Sequence, residues 1–267
     1  MSYSRISFTT SDGIAVITLC EPPANTYSYE MMREIDDAVL AARMDPSVHV
    51  IVLTGDGEKF FCAGASIGML KDADPAHKYY FCLHANETMN RLEQTPKLVI
   101  AALNGHTVGG GLEVAMAADI RIARKGGGRI GLPEVALGVL PGTGGTQRLA
   151  RLVGKARALE LMATGALFSF EEAAAMGLVN HVWGEDELKG GSFLDAVVAY
   201  AKQFTPPNRA SLAVGHIKRA VQSGLEMSFQ DSLALERELQ QRLFESADAQ
   251  EGIRANLEKR KAEFTGR

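Results

Sequence analysis

The chain has 267 residues, of which 46% are apolar and 22% charged, and its formal net charge is −4. That length can bury a substantial core in one large domain or two small ones, and the composition is that of an ordinary globular protein. The acidic balance provides no global basic field for nucleic acid or an anionic membrane, so an anionic ligand must be met by a local basic cluster.

The first ten residues lack an apolar core behind a basic start, so no secretory signal is expected. No apolar run approaches the roughly 20 residues needed to span a bilayer. Residues 14–19 (Ile-Ala-Val-Ile-Thr-Leu) read as a strand. Pro22, Pro23 and Asn25 then mark a turn, and Ser28 is placed to cap a helix over 31–44. A second strand is expected at 49–54, ended by Gly55-Asp56-Gly57, and a third at 97–103, closed by Asn104-Gly105. A helix follows the glycines at 109–111 and runs through Met116, and a fourth strand is expected at 119–123. Apolar β-branched strands separated by helical segments indicate an α/β protein with a largely parallel, covered sheet. From about residue 190 the pattern turns helical, over 192–204, 208–222, 228–244 and 248–264, with Ser192, Ser211 and Ser228 read as helix-start caps or exposed polar residues. This gives a core over 1–190 and a helical subdomain over 191–267.

Two glycine-rich segments carry the chemistry. Phe60-Phe61-Cys62-Ala63-Gly64-Ala65-Ser66-Ile67 follows the second strand, and Gly105-His106-Thr107-Val108-Gly109-Gly110-Gly111 follows the third. Each is a small-residue turn ahead of a helical segment, which leaves backbone N–H groups able to approach a ligand and favours developing negative charge there. Glycine also serves close helix–sheet packing, and either turn alone fits that reading equally well. Glu113 ends the second turn, and Glu134 follows Gly131-Leu132-Pro133. Bare amides beside two carboxylates suit chemistry next to a carbonyl that becomes an oxyanion, with acid and base roles divided between the carboxylates. Gly142-Thr143-Gly144-Gly145-Thr146-Gln147 ends on Gln147 where a dinucleotide fingerprint requires glycine, and no nucleotide-triphosphate loop ending occurs.

The six histidines show no ligand spacing, so no metal is expected. His106 reads as a packed or hydrogen-bonded residue. The three cysteines, Cys20, Cys62 and Cys82, fit neither a disulfide scaffold nor a zinc site and point to a reducing cytoplasm. Cys62 sits close enough to the first turn to be weighed as a nucleophile, and reads as a small packed side chain.

These residues together resemble the enoyl-CoA hydratase/isomerase (crotonase) superfamily over essentially the whole chain. The resemblance rests on Ala63-Gly64-Ala65, on Gly109-Gly110-Gly111-x-Glu113 with Ala118-Asp119-Ile120, and on Pro133-Glu134. The Pro141 to Arg148 loop, Ala174-x-x-Gly177-Leu178-Val179 and the C-terminal Glu258-Lys259-Arg260…Phe264-x-Gly266-Arg267 complete it. It implies a spiral of repeated ββα units with C-terminal helices that build homotrimers or hexamers. It also implies an acyl-CoA thioester substrate with no separate cofactor, and hydration of a 2-enoyl-CoA. Glu113 and Glu134 match the catalytic pair, and the Ala65 and Gly110 amides match the oxyanion hole. Ala63, Ser66, Ile67, Gly109, Pro133, Gly142 and Lys259 fall at substrate-binding positions.

Ser66 stands where the family most often has aspartate, and the segment from Glu21 to Thr26 lacks a basic residue often used against the CoA phosphates. Tyr79, Tyr80 and Phe81 fall in a segment that resembles the family's variable acyl pocket, and read either as shaping it or as core. Isomerisation, a branched or acidic enoyl-CoA substrate, and a non-catalytic binding member of the fold are the alternatives.

Overall fold

The structure is a computed structural model that describes residues 3–267. The strands are β1 (Ile6–Ser11), β2 (Ile14–Leu19), β3 (Val50–Gly55), β4 (Phe60–Cys62), β5 (Leu98–Leu103), β6 (His106–Val108), β7 (Ile120–Arg124), β8 (Ile130–Gly131) and β9 (His181–Trp183). The helices are α1 (Tyr29–Met44), α2 (Ile67–Asp72), α3 (Pro75–Gln94), α4 (Gly110–Met116), α5 (Gly145–Val153), α6 (Lys155–Thr164), α7 (Phe170–Ala175), α8 (Glu185–Leu188), α9 (Phe193–Ala201), α10 (Ser211–Gly224), α11 (Phe229–Phe244) and α12 (Ala247–Leu257).

A six-stranded sheet is ordered β1-β2-β3-β5-β7-β9 and a three-stranded sheet is ordered β4-β6-β8. The β1–β2 hairpin is antiparallel, and the other named pairings are parallel. Three times the chain passes from the large sheet to the small one and then into helix: β3–β4–α2/α3, β5–β6–α4 and β7–β8–α5. This is the spiral of ββα units that the resemblance implied.

The sequence reads as continuous apolar runs in the central strands because both faces of the large sheet are covered. Ile51, Leu53, Val99 and Ala101 face a core shared with α1 and α3, while Val50, Val52, Ile100 and Ala102 pack against Phe193, Val197 and Ala201 of α9. Ser28, Ser192 and Ser228 cap helices as expected, each accepting from a backbone amide three residues on.

Three expectations are corrected. Residues 60–62 and 106–108, read as parts of turns, are strands β4 and β6; two or three residues carry no period to recognise. Ser211 is the first residue of α10, behind Ala210, and makes no cap. Helix α12 ends at Leu257 and does not reach 264. Lys259 adopts φ 56°, a left-handed conformation that stops the helix, and the Arg260 amide turns back to the Ala255 carbonyl at 3.0 Å. The tail then returns to Asp248, whose buried carboxylate accepts from the Thr265 and Gly266 amides at 2.7 and 2.8 Å.

A buried ion pair joins the C-terminal helices to the sheet. Lys218 of α10 meets Asp119 at 2.8 Å, with side-chain exposures of only 4% and 11%, and Asp119 also accepts from the Val99 amide at 2.7 Å. Removing one partner strands the other in a dry site, so Lys218→Ala is expected to lower stability by about 3 kcal/mol. The exposed Arg151–Glu226 pair, 55% and 57% exposed, gives the contrast: Arg151→Ala should change stability by less than about 1 kcal/mol. Urea unfolding midpoints at unchanged slope measure both.

Candidate active site

The three strands of the small sheet run parallel and hand the chain to three successive turns. Strand β4 leads into Ala63-Gly64-Ala65, β6 into Gly109-Gly110, and β8 into Leu132-Pro133-Glu134. Parallel strands that end together bring their C-terminal turns to one edge, which is why segments some fifty residues apart meet here. The first two turns abut: Gly64 has φ +88°, and a Cβ built on it would lie 2.9 Å from the Gly110 nitrogen.

The main-chain donors of these turns are largely used. The Ala63 amide donates to Ala24 O at 3.0 Å, the Ser66 amide to Tyr27 O at 2.9 Å, and the Gly109 amide to Gly131 O at 2.9 Å. Among the described residues, the amides of Ala65 and of Gly110, the first residue of α4, donate to no protein acceptor. The pair expected from the sequence is thus available to a ligand.

Glu113, on α4, is 2% exposed. Its Oε1 accepts from the Thr143 and Gly145 amides at 2.8 and 2.6 Å, and its Oε2 accepts from the Thr143 hydroxyl. The Thr143 hydroxyl in turn lies 3.2 Å from the hydroxyl of the buried Tyr27. Burial pushes the Glu113 carboxyl above the ordinary carboxylate value, while these donors and the Arg148 charge pull it back.

Glu134 opens a 3₁₀ turn (Glu134–Leu137) behind Pro133 and is half-buried. A Cβ on Gly109 would lie 3.0 Å from its Oε1, so the carboxylate leans over the second glycine turn. Its buried Oε2 has no hydrogen-bond partner in the protein. Burial first, and the neighbouring Glu113 charge second, push the Glu134 carboxyl up to about 7. Two carboxylates therefore share one edge, one richly supplied with donors and one nearly bare.

Other expected residues fall as follows. Ser66 N-caps α2, a weak cap with the Met69 amide at 3.5 Å, and so keeps the local bond that an aspartate there would make. Ile67 is 67% exposed at the start of α2. Gly142 is exposed beside Cys82, and its carbonyl accepts from Asn86 at 3.4 Å. Lys259 is exposed just past α12, and its amine makes no protein hydrogen bond among the described residues. Its neighbours Arg254 and Arg260 are both held by Glu251. Phe81 is core, stacked on Tyr27 with centroids 5.9 Å apart, whereas Tyr79 and Tyr80 are exposed. His106 accepts from the Arg129 amide at 3.0 Å. Cys62 is wholly buried, and burial pushes its thiol up to about 12, which fits the packed side chain expected.

Thr143, Gly145 and Tyr27 are site residues that the sequence alone does not single out. The Pro141 to Arg148 loop stands out as a motif, yet nothing in it marks Thr143 and Gly145 as donors to Glu113. A separate cavity of about 680 Å³, lined by Asn90, Glu93, Asp119, Arg121, Arg148 and Gln222 among others, borders the same loop but includes neither Glu113 nor Glu134. The candidate chemistry lies in the open edge above the small sheet, not in that cavity.

A family model described as Enoyl-CoA hydratase/isomerase matches residues 9–267, and the chain belongs to that family. It is 39% identical over 266 residues to a probable enoyl-CoA hydratase of Bacillus subtilis (strain 168), covering 98% of this chain and 99% of the relative. It is 37% identical over 265 residues to a crotonyl-CoA hydratase of Syntrophomonas wolfei, covering 99% of each. The crystal structure of an enoyl-CoA hydratase from Geobacillus kaustophilus HTA426 superposes with a TM-score of 0.95 at 43% identity, over 100% of this chain and 98% of that one.

A side chain at Gly110 would overlap the Tyr27 hydroxyl and ring edge. Tyr27 is anchored at both sides of its peptide, so it has little room to retreat. Gly110→Ala is expected to lose roughly 1–3 kcal/mol of stability, read as a drop in thermal midpoint; an unchanged midpoint would mean that the ring moves aside freely.

Proposed function

We propose that the protein is an enoyl-CoA hydratase that adds water reversibly across the 2,3-double bond of a 2-enoyl-CoA thioester, giving the 3-hydroxyacyl-CoA. The observation that carries this reading is the unequal carboxylate pair beside two amides that no protein group occupies. Hydration at C3 drives charge onto the thioester oxygen, and the Ala65 and Gly110 N–H groups are assigned to that oxyanion. Losing one such preorganised donor costs about 3–4 kcal/mol in comparable sites.

Glu113, with donors on both oxygens, is the group suited to remain ionised, and is assigned to orient and deprotonate the water. Glu134, whose bare oxygen favours the neutral acid, is assigned to deliver the proton to C2 and to remove it in the reverse direction. The substrate carries its own coenzyme A, so no separate cofactor enters. Ala63, Ser66, Ile67, Gly109, Pro133 and Gly142 are assigned to the acyl-thioester cleft, and Lys259 to the CoA phosphates. The free thiols Cys20, Cys62 and Cys82 support a reducing, cytoplasmic setting.

The helical segment 191–267 is assigned to self-association as a homotrimer or a dimer of trimers. Ile217, Val221, Leu225, Phe229, Phe244 and Leu257 all stand exposed on it, an apolar surface that suits burial against another copy. Light scattering should then report three or six times the 28.7 kDa chain mass; a monomer would remove this assignment.

Loss of the conjugated absorbance of crotonyl-CoA tests the activity. The wild type should consume it, and Glu113→Gln and Glu134→Gln should each fall by roughly a thousandfold or more. Full activity in Glu134→Gln would end the acid/base assignment, and a wild type silent toward every chain length would favour a binding protein. Because Glu134 titrates near 7 and must enter hydration protonated, kcat/KM for hydration should fall as pH rises through about 7. An acid limb should mark protonation of Glu113, both limbs belonging to the coupled pair.

A further inference from the structure

Tyr27 touches both glycine turns and the loop that supplies donors to Glu113. Its amide donates to Gly64 O at 2.9 Å and its carbonyl accepts from the Ser66 amide at 2.9 Å, so its peptide brackets Ala65 and leaves the Ala65 N–H out of the pairing. Its side chain crosses to the second turn, where the hydroxyl fills the space that a Gly110 side chain would need. The same hydroxyl reaches Thr143 Oγ1 at 3.2 Å, and that hydroxyl bonds Glu113 Oε2. Phe81 stacks on the ring and holds its plane.

The direction of this chain follows from donor arithmetic. An ionised carboxylate only accepts, so the Thr143 hydroxyl spends its proton on Glu113 and must accept from Tyr27. Burial raises the Tyr27 phenol well above its ordinary value, so it keeps the proton it donates. A hydroxyl that accepts one hydrogen bond donates a stronger one, so Tyr27 strengthens the Thr143 donor.

We propose that Tyr27 is a positioning residue for the hydration reaction: through Thr143 it holds Glu113 ionised and oriented, and through its main chain and ring it sets the two free amides in register. This inference rests on the hydratase reading above. The other titratable groups that act on Glu113 come from separate elements, Arg148 of α5, Cys82 of α3 and Glu134, while Cys62 at the end of β4 acts on the Tyr27 phenol. Only Arg148 carries a positive charge, and its guanidinium is already paired with Glu93 at 2.8 Å. Removing a donor from Glu113 therefore leaves nothing to replace it, and the carboxylate becomes harder to ionise.

The test is hydration of crotonyl-CoA by the full chain across pH, with thermal midpoints recorded for each variant. Tyr27→Phe keeps the ring and both main-chain bonds and removes only the hydroxyl. It is expected to lower kcat about tenfold with KM within about twofold, and to move the acid limb of kcat/KM up by about one half to one pH unit. Thr143→Val should lose about a hundredfold and move the limb further, whereas Thr143→Ser, which keeps the hydroxyl, should hold the limb at its wild-type position and recover about tenfold over Thr143→Val. The double variant Tyr27→Phe/Thr143→Val should be no worse than Thr143→Val alone, because both act through one chain.

A merely structural role would lower the midpoints and kcat without moving the limb. That result, an additive double variant, or a Thr143→Ser protein as impaired as Thr143→Val would each overturn the inference while the hydratase reading stands. A wild type inert toward 2-enoyl-CoA thioesters would overturn both.

Discussion

A carboxylate at 2% exposure dictates much of how this edge of the molecule is built. Taking the Glu113 charge out of water is tolerable only where donors meet its oxygens, and the fold meets that demand with two amides and a hydroxyl from one loop. Gly144, with φ +110°, gives that loop a left-handed bend, and a Cβ on Gly145 would sit 2.9 Å from Glu113 Oε1. Glycine at these points is a requirement of donor approach and not of flexibility. The loop then continues as α5, so the donors are fixed to a regular element.

The same demand sets the contrast with Glu134. That residue sits on a short 3₁₀ turn, receives no donor on its buried oxygen, and lies within the field of Glu113. Like charges close together cannot both be comfortable, and the one better supplied with hydrogen-bond donors keeps its charge. Environment alone thus separates two chemically identical side chains into groups suited to opposite proton-transfer roles. Tyr27 extends this logic, since its side chain contacts the second glycine turn and the donor loop while its backbone pairs with the first.

The small sheet explains why these pieces converge. Its three strands are only two or three residues long, yet they are parallel, with one register shift between Phe60 and Cys62, so each delivers its following turn to a common edge. The large sheet behind them supplies rigidity, covered on one face by α1 and α3 and on the other by α9. The buried Lys218–Asp119 pair then ties α10 to the residue that opens onto β7.

Much of this was legible in local patterns. The buried strands at 14–19, 50–55 and 98–103 announce themselves as largely apolar runs that include β-branched residues, and Ser28 marks the start of α1 through a bond only three residues long. Glycines followed by an acid at 109–113 point to a ligand-facing turn because the backbone requirement is written in the residues themselves. Strands β4 and β6 left no such mark, since so short a segment is defined by its partners. The end of α12 depends on Asp248 capturing residues 17 and 18 positions away. Thr143 donates to a glutamate 30 residues earlier, and Tyr27 reaches Thr143 across 116 residues. Residue type and nearest-neighbour spacing therefore account for the class of fold and for which acids and amides are candidates. Which acid is fed with donors, and by whom, depends on contacts between distant segments that exist only once the sheets have brought them together.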